Sequence, residues 1–193
     1  MIWNDKNIIR MLLNNKIVVM PTDTIYGIVG NALNSNVVNR IYDIRKRAPE
    51  KPCIILIGDI KELEKFSIHL SNEQKDKIKE YWSFDKTQDF QPGPTSIVLD
   101  CIDQKFFYLH RGTQTLAFRI PKQTGLRDLL KETGPLIAPS ANLEGLPPAN
   151  NIHEAKNYFH ELVDLYIDGG ERSSNPSKVI KLHKDGSALI LRE

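Results

Sequence analysis

Three small polar residues at 22–24, Thr-Asp-Thr, directly follow an apolar segment at 17–20 that is typical of a buried strand. Pro21 ends the hydrogen bonding of such a strand and has a fixed φ, while Gly27 permits backbone conformations closed to other residues. The loop is therefore expected to hold its two threonine hydroxyls in fixed positions, as a binding site requires. An ordinary turn rich in Thr and Asp has the same composition, so the loop alone does not decide between the two.

A second segment follows the same plan. The apolar residues 136–138 are followed by Pro139, and then by the compact polar side chains Ser140 and Asn142. Two strands that end in Pro and hydrogen-bonding side chains suggest that both loops face one cavity. The alternative for Ser140 and Asn142 is a local Asx turn without a ligand.

Basic residues provide the countercharge that an anionic ligand needs. Arg45 and Arg47 are predicted at the C-terminal end of a helix, with Lys51 shortly after them. A solvated helix end is the alternative, because the helix dipole also favours cations there. Arg119 lies on the same face of the predicted strand 115–120 as Thr115, so it requires either an internal acidic partner or a position in the cavity.

Several catalytic signatures are absent from the sequence. It contains no GxxxxGK[ST] loop, no G-x-S-x-G elbow and no pair of histidines at metal-binding spacing. Covalent catalysis and zinc catalysis are therefore disfavoured. Thr, Ser, Asn and Arg are hydrogen-bond donors and not strong bases, so the sequence favours a reaction that depends on positioning and charge stabilisation.

Helical and strand patterns alternate along the chain, and several neighbouring strands are expected to be joined by hairpins. The fold class is therefore α/β with a mixed sheet. Three predicted helices cover 5–14, 59–66 and 152–159. A fourth is capped by Ser35 and ends in the basic residues 45–47, and a fifth runs from a Ser71–Gln74 capping box through Trp82. A sixth begins at Thr124 and is stopped by Gly134. The predicted strands are 17–20, 53–57, 95–99, 106–109 as a hairpin partner of 95–99, 115–120, 136–138, 165–168, 177–181 and 188–192, with loops at 83–90 and 169–176 and a turn at 92–94.

Composition limits the classes of partner. The 193 residues, 40% of them hydrophobic, fit one domain over 1–193, and 26 basic against 24 acidic residues give a net charge of only +2. This balance argues against strong non-specific binding to nucleic acid or membranes. Cys53 and Cys101 are expected to be buried free thiols. Without a signal peptide or an apolar run near the ~18 residues of a membrane span, we expect a cytoplasmic protein.

Five motifs occur together in an order that resembles the YrdC-like family, which comprises the threonylcarbamoyl-AMP synthases. They lie at 21–27, 45–52, 92–95, 117–121 and 140–147. The resemblance covers nearly the whole chain and implies a twisted mixed sheet flanked by helices, in a single domain with a central basic cavity. Four positions depart from the family pattern: Arg45 replaces Lys, Ala48 replaces Pro, Gln91 replaces Trp and Glu144 replaces Ser.

The resemblance implies a nucleotidyltransferase that uses ATP, L-threonine and bicarbonate. In the family reaction the threonine amine takes up carbon dioxide, and the carbamate oxygen attacks the α-phosphorus of ATP and expels pyrophosphate. Mg²⁺ arrives with the nucleotide, and no protein-bound metal is expected. Other proteins then transfer the threonylcarbamoyl group to an adenosine of tRNA.

By matching position, the resemblance assigns roles to residues of this sequence. Arg47 and Arg119 are the candidate catalytic residues. Threonine or its carbamate is assigned to Thr24, Arg119, Ser140 and Ser177, and ATP to Arg45, Arg47, Lys51, Thr115, Ser140, Asn142, Asn150 and Arg192. Glu144 is expected to contact these residues and not the substrates themselves.

Two other functions fit parts of the pattern. A non-enzymatic module that binds double-stranded RNA could use the same basic cavity to hold phosphates, although the near-neutral charge allows only weak RNA binding. A carbamoyl-adenylate-forming module is closer in chemistry, but such modules usually lie inside much longer chains.

Overall fold

A computed structural model describes residues 2–82 and 94–193 of the chain. The predicted loop at 83–90, the departure at Gln91 and most of the predicted turn at 92–94 lie outside these ranges. Within them, no helix is both long and apolar enough to cross a membrane. Cys53 and Cys101 are buried and free, as predicted.

The described residues form nine strands in one sheet. The strands are β1 Val18–Pro21, β2 Tyr26–Asn31, β3 Ile54–Leu56, β4 Thr95–Asp100, β5 Thr115–Arg119, β6 Leu136–Ile137, β7 Leu165–Tyr166, β8 Lys178–Leu182 and β9 Ala188–Arg192. Their order in the sheet is β7-β1-β2-β6-β3-β5-β4-β8-β9. Strands β1 and β7, β3 and β5, and β4 and β8 pair in parallel, whereas the other neighbours are antiparallel. The predicted α/β mixed sheet is thus confirmed.

Most helices lie where the apolar periodicity predicts them. The α-helices are α1 Lys6–Leu13, α2 Ser35–Arg45, α3 Asn72–Trp82, α4 Phe107–His110, α5 Thr124–Thr133 and α6 Ile152–Phe159. Short 3₁₀ helices cover Ile2–Asn4, Ile60–Phe66, Gln104–Phe106 and His160–Leu162. The predicted capping box of α3 is present, because Ser71 N–H donates to Gln74 Oε1 and Gln74 N–H donates to Ser71 Oγ, at 3.1 and 3.0 Å.

One predicted helix cap and one predicted strand are wrong. Asn34, and not Ser35, caps α2, because Asn34 has an extended backbone and its Oδ1 accepts from Asn36 and Val37 N–H. The apolar run 106–109 is not a strand. Phe106 and Leu109 are buried while Phe107 is 54% exposed, and burial at a spacing of three is typical of a helix.

The sheet is covered by helices on both faces. Val19 belongs to one buried cluster with residues of α2 and α6, whereas its neighbours Val18 and Met20 belong to a second cluster with residues of α1 and α5. Because successive strand residues point to opposite faces, these two clusters are the two cores of a three-layer arrangement. This double coverage fixes the strand ends from which the site is built.

Candidate functional site

A cavity of about 500 Å³ opens where the loops after β1 and β6 meet strands β5 and β9. We call it the central cavity. Many of the residues singled out from the sequence line it, from segments far apart in the chain: Thr24, Arg47, Thr115, Arg119, Ser140, Ser177 and Arg192. Three of these side chains are guanidinium groups, so the predicted central basic cavity is present.

The loop after β1 has a hydrogen-bonded core of its own. Thr22 Oγ1 donates to the Ile25 carbonyl over 2.7 Å and accepts from Thr24 N–H over 3.2 Å. The hydroxyl oxygens of Thr22 and Thr24 are 3.2 Å apart, and both residues are buried. The loop is thus a turn whose residues also form part of the cavity wall.

The two polar loops face one cavity, as predicted from their shared plan, and they are also joined through their backbones. Ala141 N–H donates to the Tyr26 carbonyl over 2.9 Å, and Gly27 pairs with Ser140 in a single β-bridge. A Cβ at Gly27 would lie only 3.0 Å from the Thr22 methyl group in its own loop and 3.4 Å from the Pro139 carbonyl oxygen in the other. Glycine therefore allows the close approach that places Thr24 and Ser140 on one cavity.

Arg119 satisfies both of the alternatives that its sequence position raised. Its Nη2 forms an ion pair with Asp23 Oδ1 at 2.8 Å, and the side chains are only 4% and 1% exposed. The same Nη2 lies 3.4 Å from Thr24 Oγ1, and Arg119 lines the central cavity. Arg119 Nε and Asp23 Oδ2 are buried without a hydrogen-bond partner, so each side chain has a polar atom still to be satisfied.

Arg45 and Asn142 are held in the wall behind the cavity and are not among the residues that line it. Arg45 is 2% exposed and donates from Nε to the Asn142 carbonyl and from Nη2 to Asn142 Oδ1, each over 3.0 Å. Arg45 Nη2 also lies 3.3 Å from Ser140 Oγ. Burial lowers the pKa of Arg45, because desolvation disfavours the charged form. Arg45 therefore fixes the loop that carries Ser140.

Arg47 points one edge of its guanidinium group at a carboxylate. Its Nε and Nη2 donate to the Lys51 and Pro52 carbonyls over 2.9 and 3.1 Å. Its Nη1 lies 3.4 Å from Glu144 Oε2, while Lys51 Nζ lies 2.6 Å from Glu144 Oε1. The hydrogen bond from Lys51 and the charges of Arg47 and Lys51 lower the pKa of Glu144. Lys51 itself is not among the residues that line the cavity.

Ser177 and Arg192 close the opposite side. Ser177 is 1% exposed, and its hydroxyl lies 2.8 Å from Ser96 Oγ. Arg192 donates from Nε and Nη2 to the Ser177 carbonyl over 3.1 and 2.8 Å. Burial, and then the charge of Arg119, lower the pKa of Arg192. The last strand, β9, thus supplies a cation to the cavity, although its residues Leu189 and Leu191 are about half exposed, at 54% and 53%.

Asn150 lies outside the set of residues that line the cavity. Its backbone N–H donates to Glu154 Oε2 over 2.9 Å, and its carbonyl accepts from Arg172 N–H over 2.7 Å. These bonds attach the start of α6 to the loop 169–176.

Sequence reasoning missed Tyr26 as a cavity residue. Tyr26 lines the cavity, and its hydroxyl donates to the Gly170 carbonyl and accepts from Gly169 N–H, both over 2.8 Å. Burial raises the pKa of this phenol. The contact joins residues 143 positions apart, so no local pattern indicates it. The glycine pair at 169–170, which leaves room for a neighbouring side chain, is the one signal in the sequence that could have indicated it.

Among residues 2–82 and 94–193, no group of three or more His, Cys, Asp or Glu side chains is arranged to hold a metal ion. A metal ion at this site would therefore need ligands from a bound substrate in addition to any from the described protein residues. Phosphate oxygens are suitable ligands of that kind for Mg²⁺.

Comparison with known proteins identifies a family and several similar proteins. A family model described as "Telomere recombination" matches residues 10–193. A threonylcarbamoyl-AMP synthase of Pyrococcus abyssi is 31% identical over 182 residues, which cover 93% of this chain and 51% of the relative. A putative threonylcarbamoyl-AMP synthase of Methanocaldococcus jannaschii is 34% identical over 192 residues, covering 95% of this chain and 82% of the relative.

A solved structure supports the same relationship. The crystal structure of P. abyssi Sua5 complexed with L-threonine superimposes with a TM-score of 0.82 at 30% sequence identity, covering 100% of this chain and 54% of that one. The chain thus spans about half the length of the Pyrococcus protein.

Proposed function

Because the chain belongs to the Sua5/YciO/YrdC family, we propose that it is an L-threonylcarbamoyladenylate synthase, a nucleotidyltransferase that condenses L-threonine, bicarbonate and ATP. The observation that carries the proposal is the convergence of Thr24, Ser140 and three arginines on the central cavity. Hydroxyls and guanidinium groups suit an amino acid, its carbamate and phosphates. The relatives named threonylcarbamoyl-AMP synthase and the threonine complex of P. abyssi Sua5 support this choice of substrates.

Threonine is assigned to the part of the cavity around the two polar loops. The hydroxyls of Thr24 and Ser140 and the guanidinium group of Arg119 line this part, and they can bind the amino acid carboxylate or the carbamate. Ser177 faces the same cavity, and its hydroxyl bond to Ser96 orients it. Arg119 is a candidate catalytic residue, because its positive charge suits a carbamate.

ATP is assigned to the part of the cavity that Arg47, Thr115 and Arg192 line. Arg47 is the second candidate catalytic residue, since its charge suits the phosphate that is attacked. Lys51 extends the positive charge outside the cavity lining. Arg45, Asn142 and Asn150 are proposed to act on the nucleotide indirectly, because their observed bonds position the surrounding loops.

The nucleophile in this mechanism is made from the substrates. Bicarbonate takes up a proton and loses water to give carbon dioxide. The threonine amine bonds to the carbon of this carbon dioxide and loses a proton to solvent, and a carbamate oxygen then displaces pyrophosphate from the α-phosphorus. The protein supplies binding, orientation and countercharge, and Mg²⁺ carried by the nucleotide neutralises phosphate charge.

The product, threonylcarbamoyl-AMP, is proposed to supply other proteins that modify an adenosine of tRNA, in the cytoplasm. We also propose that residues 1–193 act as one domain. The central cavity disfavours RNA binding as the main function. Its hydroxyl groups are largely buried, and a concave site of this kind suits a small molecule better than a duplex.

The proposal is tested by measuring pyrophosphate release from ATP by the purified protein. Release is expected only when threonine, bicarbonate and Mg²⁺ are all present. Turnover with carbamoyl phosphate but not with threonine would support the carbamoyl-adenylate-forming alternative. No turnover together with tight binding of duplex RNA would support the RNA-binding alternative.

A further inference from the structure

Glu144 places a negative charge against two cations at the edge of the central cavity. Its Oε1 lies 2.6 Å from Lys51 Nζ, and its Oε2 lies 3.4 Å from Arg47 Nη1. Arg47 lines the cavity. A carboxylate between an ammonium and a guanidinium group uses the same donors that would otherwise bind two phosphate oxygens.

The three guanidinium nitrogens of Arg47 all have partners, and Glu144 occupies the one that backbone carbonyls leave open. Nε and Nη2 are taken by the backbone carbonyls of Lys51 and Pro52. Those bonds fix the plane of the guanidinium group, and Nη1 is the nitrogen that faces Glu144. An anion that binds Nη1 and Lys51 Nζ together must therefore displace the Glu144 carboxylate.

The backbone of Glu144 is fixed, whereas its side chain is able to move. Its N–H donates to the Arg45 carbonyl over 2.9 Å, and Asn142 Nδ2 binds the Leu143 and Leu146 carbonyls over 2.9 and 2.7 Å. The side chains of Glu144 and Lys51 are 25% and 56% exposed. Ion pairs as exposed as this are weak and exchange readily with solvent. The carboxylate can thus leave both cations without any change in the loop.

We propose that Glu144 is an internal competitor of substrate phosphates for Arg47 and Lys51, and that polyphosphates bind by separating its carboxylate from these cations. The inference rests on the proposed function, because it deepens the assignment of Arg47 and Lys51 to the nucleotide. Glu144 then lowers the affinity for ATP, and for pyrophosphate as well. When pyrophosphate leaves, the carboxylate pairs with the two cations again, and this pairing favours the release of pyrophosphate.

The proposal predicts which ligands respond to a substitution at Glu144. ATP and pyrophosphate compete with the carboxylate, and so their affinity depends on its charge. Adenosine carries no phosphate and does not compete. A merely structural role of Glu144 in the loop would change the affinity for all three ligands alike.

The test is isothermal titration of Mg-ATP, Mg-pyrophosphate and adenosine into wild type and Glu144→Gln. The substitution keeps the shape of the side chain and removes its charge. Mg-ATP and Mg-pyrophosphate are expected to bind roughly three- to tenfold more tightly, with adenosine unchanged. Glu80→Gln is the matched control, because Glu80 also pairs with a lysine, Lys77, at 2.7 Å on exposed α3. It should leave all three affinities unchanged.

Two further measurements complete the test. In an Arg47→Ala background, the gain from Glu144→Gln should shrink, because one of the two contested cations is gone. If Glu144→Gln lowers the melting temperature, Glu144→Ser is titrated in its place. Equal or weaker phosphate binding by the folded Glu144 variants overturns the inference. If pyrophosphate release still depends on threonine in those variants, the proposed function stands. If neither wild type nor variant binds ATP, both are overturned.

Discussion

Asp23 and Arg119 form an ion pair of 2.8 Å in the wall of the central cavity, with both side chains almost completely buried. The pair joins the loop after β1 to strand β5, across 96 positions of sequence. A buried charge that loses its partner costs much more than an exposed one. The pair therefore belongs to the fold and to the proposed site at once.

Asp23→Ala is expected to destabilise the protein by about 3 kcal/mol, because it leaves the Arg119 guanidinium group buried without a countercharge. Asp23→Asn should cost less, since its amide oxygen can still accept from Nη2. Urea unfolding of the two variants and wild type measures the difference. Equal stability of all three proteins would mean that water reaches Arg119 and replaces Asp23.

Arg47→Ala is expected to weaken ATP binding with a modest loss of stability. The side chain is 20% exposed, and the two hydrogen bonds that it donates to the Lys51 and Pro52 carbonyls contribute ~0.5–1.5 kcal/mol each. Lys46→Ala is the matched control, because Lys46 is the adjacent cation on the exposed side of the same helix end.

Equilibrium ATP titration and thermal melting of both variants separate the two effects. Arg47→Ala should weaken ATP binding strongly and lower the melting temperature only modestly, whereas Lys46→Ala should change neither quantity. A large fall in the melting temperature of Arg47→Ala with unchanged ATP affinity would assign Arg47 to the structure instead.

Arg192→Gln is expected to raise the Michaelis constant for ATP several-fold, with that for threonine and the melting temperature nearly unchanged. Arg192 lines the cavity and binds the Ser177 carbonyl through two nitrogens, and such a planar fork is not replaced by an amide. Arg192→Lys keeps the charge and loses the fork, so it shows which property matters. Unaltered ATP kinetics in Arg192→Gln would remove this residue from the site.

Asp164→Asn is expected to remove an acid-sensitive part of the stability. Burial opposes ionisation of Asp164, but hydrogen bonds from Ile17 N–H and Arg40 outweigh it, so the pKa lies below its ordinary value. The carboxylate therefore stabilises the fold above the unfolded-state pKa of about 3.9, and this stabilisation is lost as the pH falls through the folded-state pKa.

Urea unfolding of wild type and Asp164→Asn at a series of pH values measures this contribution. The difference in unfolding free energy should be constant from about pH 7 to 5 and should shrink below about pH 4. A difference that is independent of pH down to the acid transition would mean that the ionisation of Asp164 does not stabilise the fold.

Local pattern predicted most of the fold, because periodicity and caps act over a few residues. Helix α1 begins after Asp5, whose carboxylate accepts from Asn7 N–H, as its position before an apolar period suggests. The run at 106–109 was misassigned since four apolar residues fit a strand or one helical turn equally well. The 3₁₀ helix Gln104–Phe106, which is capped by Asp103, directly precedes this run, and the chain continues from it as helix.

The candidate site was only partly predictable. Motif order identified Thr24 and Ser140, because a loop after a buried strand can only lie at the end of the sheet. It did not reveal that Arg45 turns toward Asn142, since the partner of a buried guanidinium group is chosen by tertiary packing. Tyr26 was missed for the same reason, because its bonds to the loop at 169–170 have no local signature.

The position of Arg192 in the last strand of the sheet has a consequence for the order of events during folding. Thr24 and Arg192 line one cavity but stand near opposite ends of the sequence, so the site depends on contacts that form slowly in chains rich in distant pairings. Strand β9 pairs with β8, its neighbour in sequence, and β8 pairs with the distant strand β4. Before this hairpin docks on β4, the chain contains both polar loops but lacks one of the cavity arginines. Recovery of ATP binding during refolding should therefore lag behind recovery of helical signal, and it reports the docking of the β8–β9 hairpin.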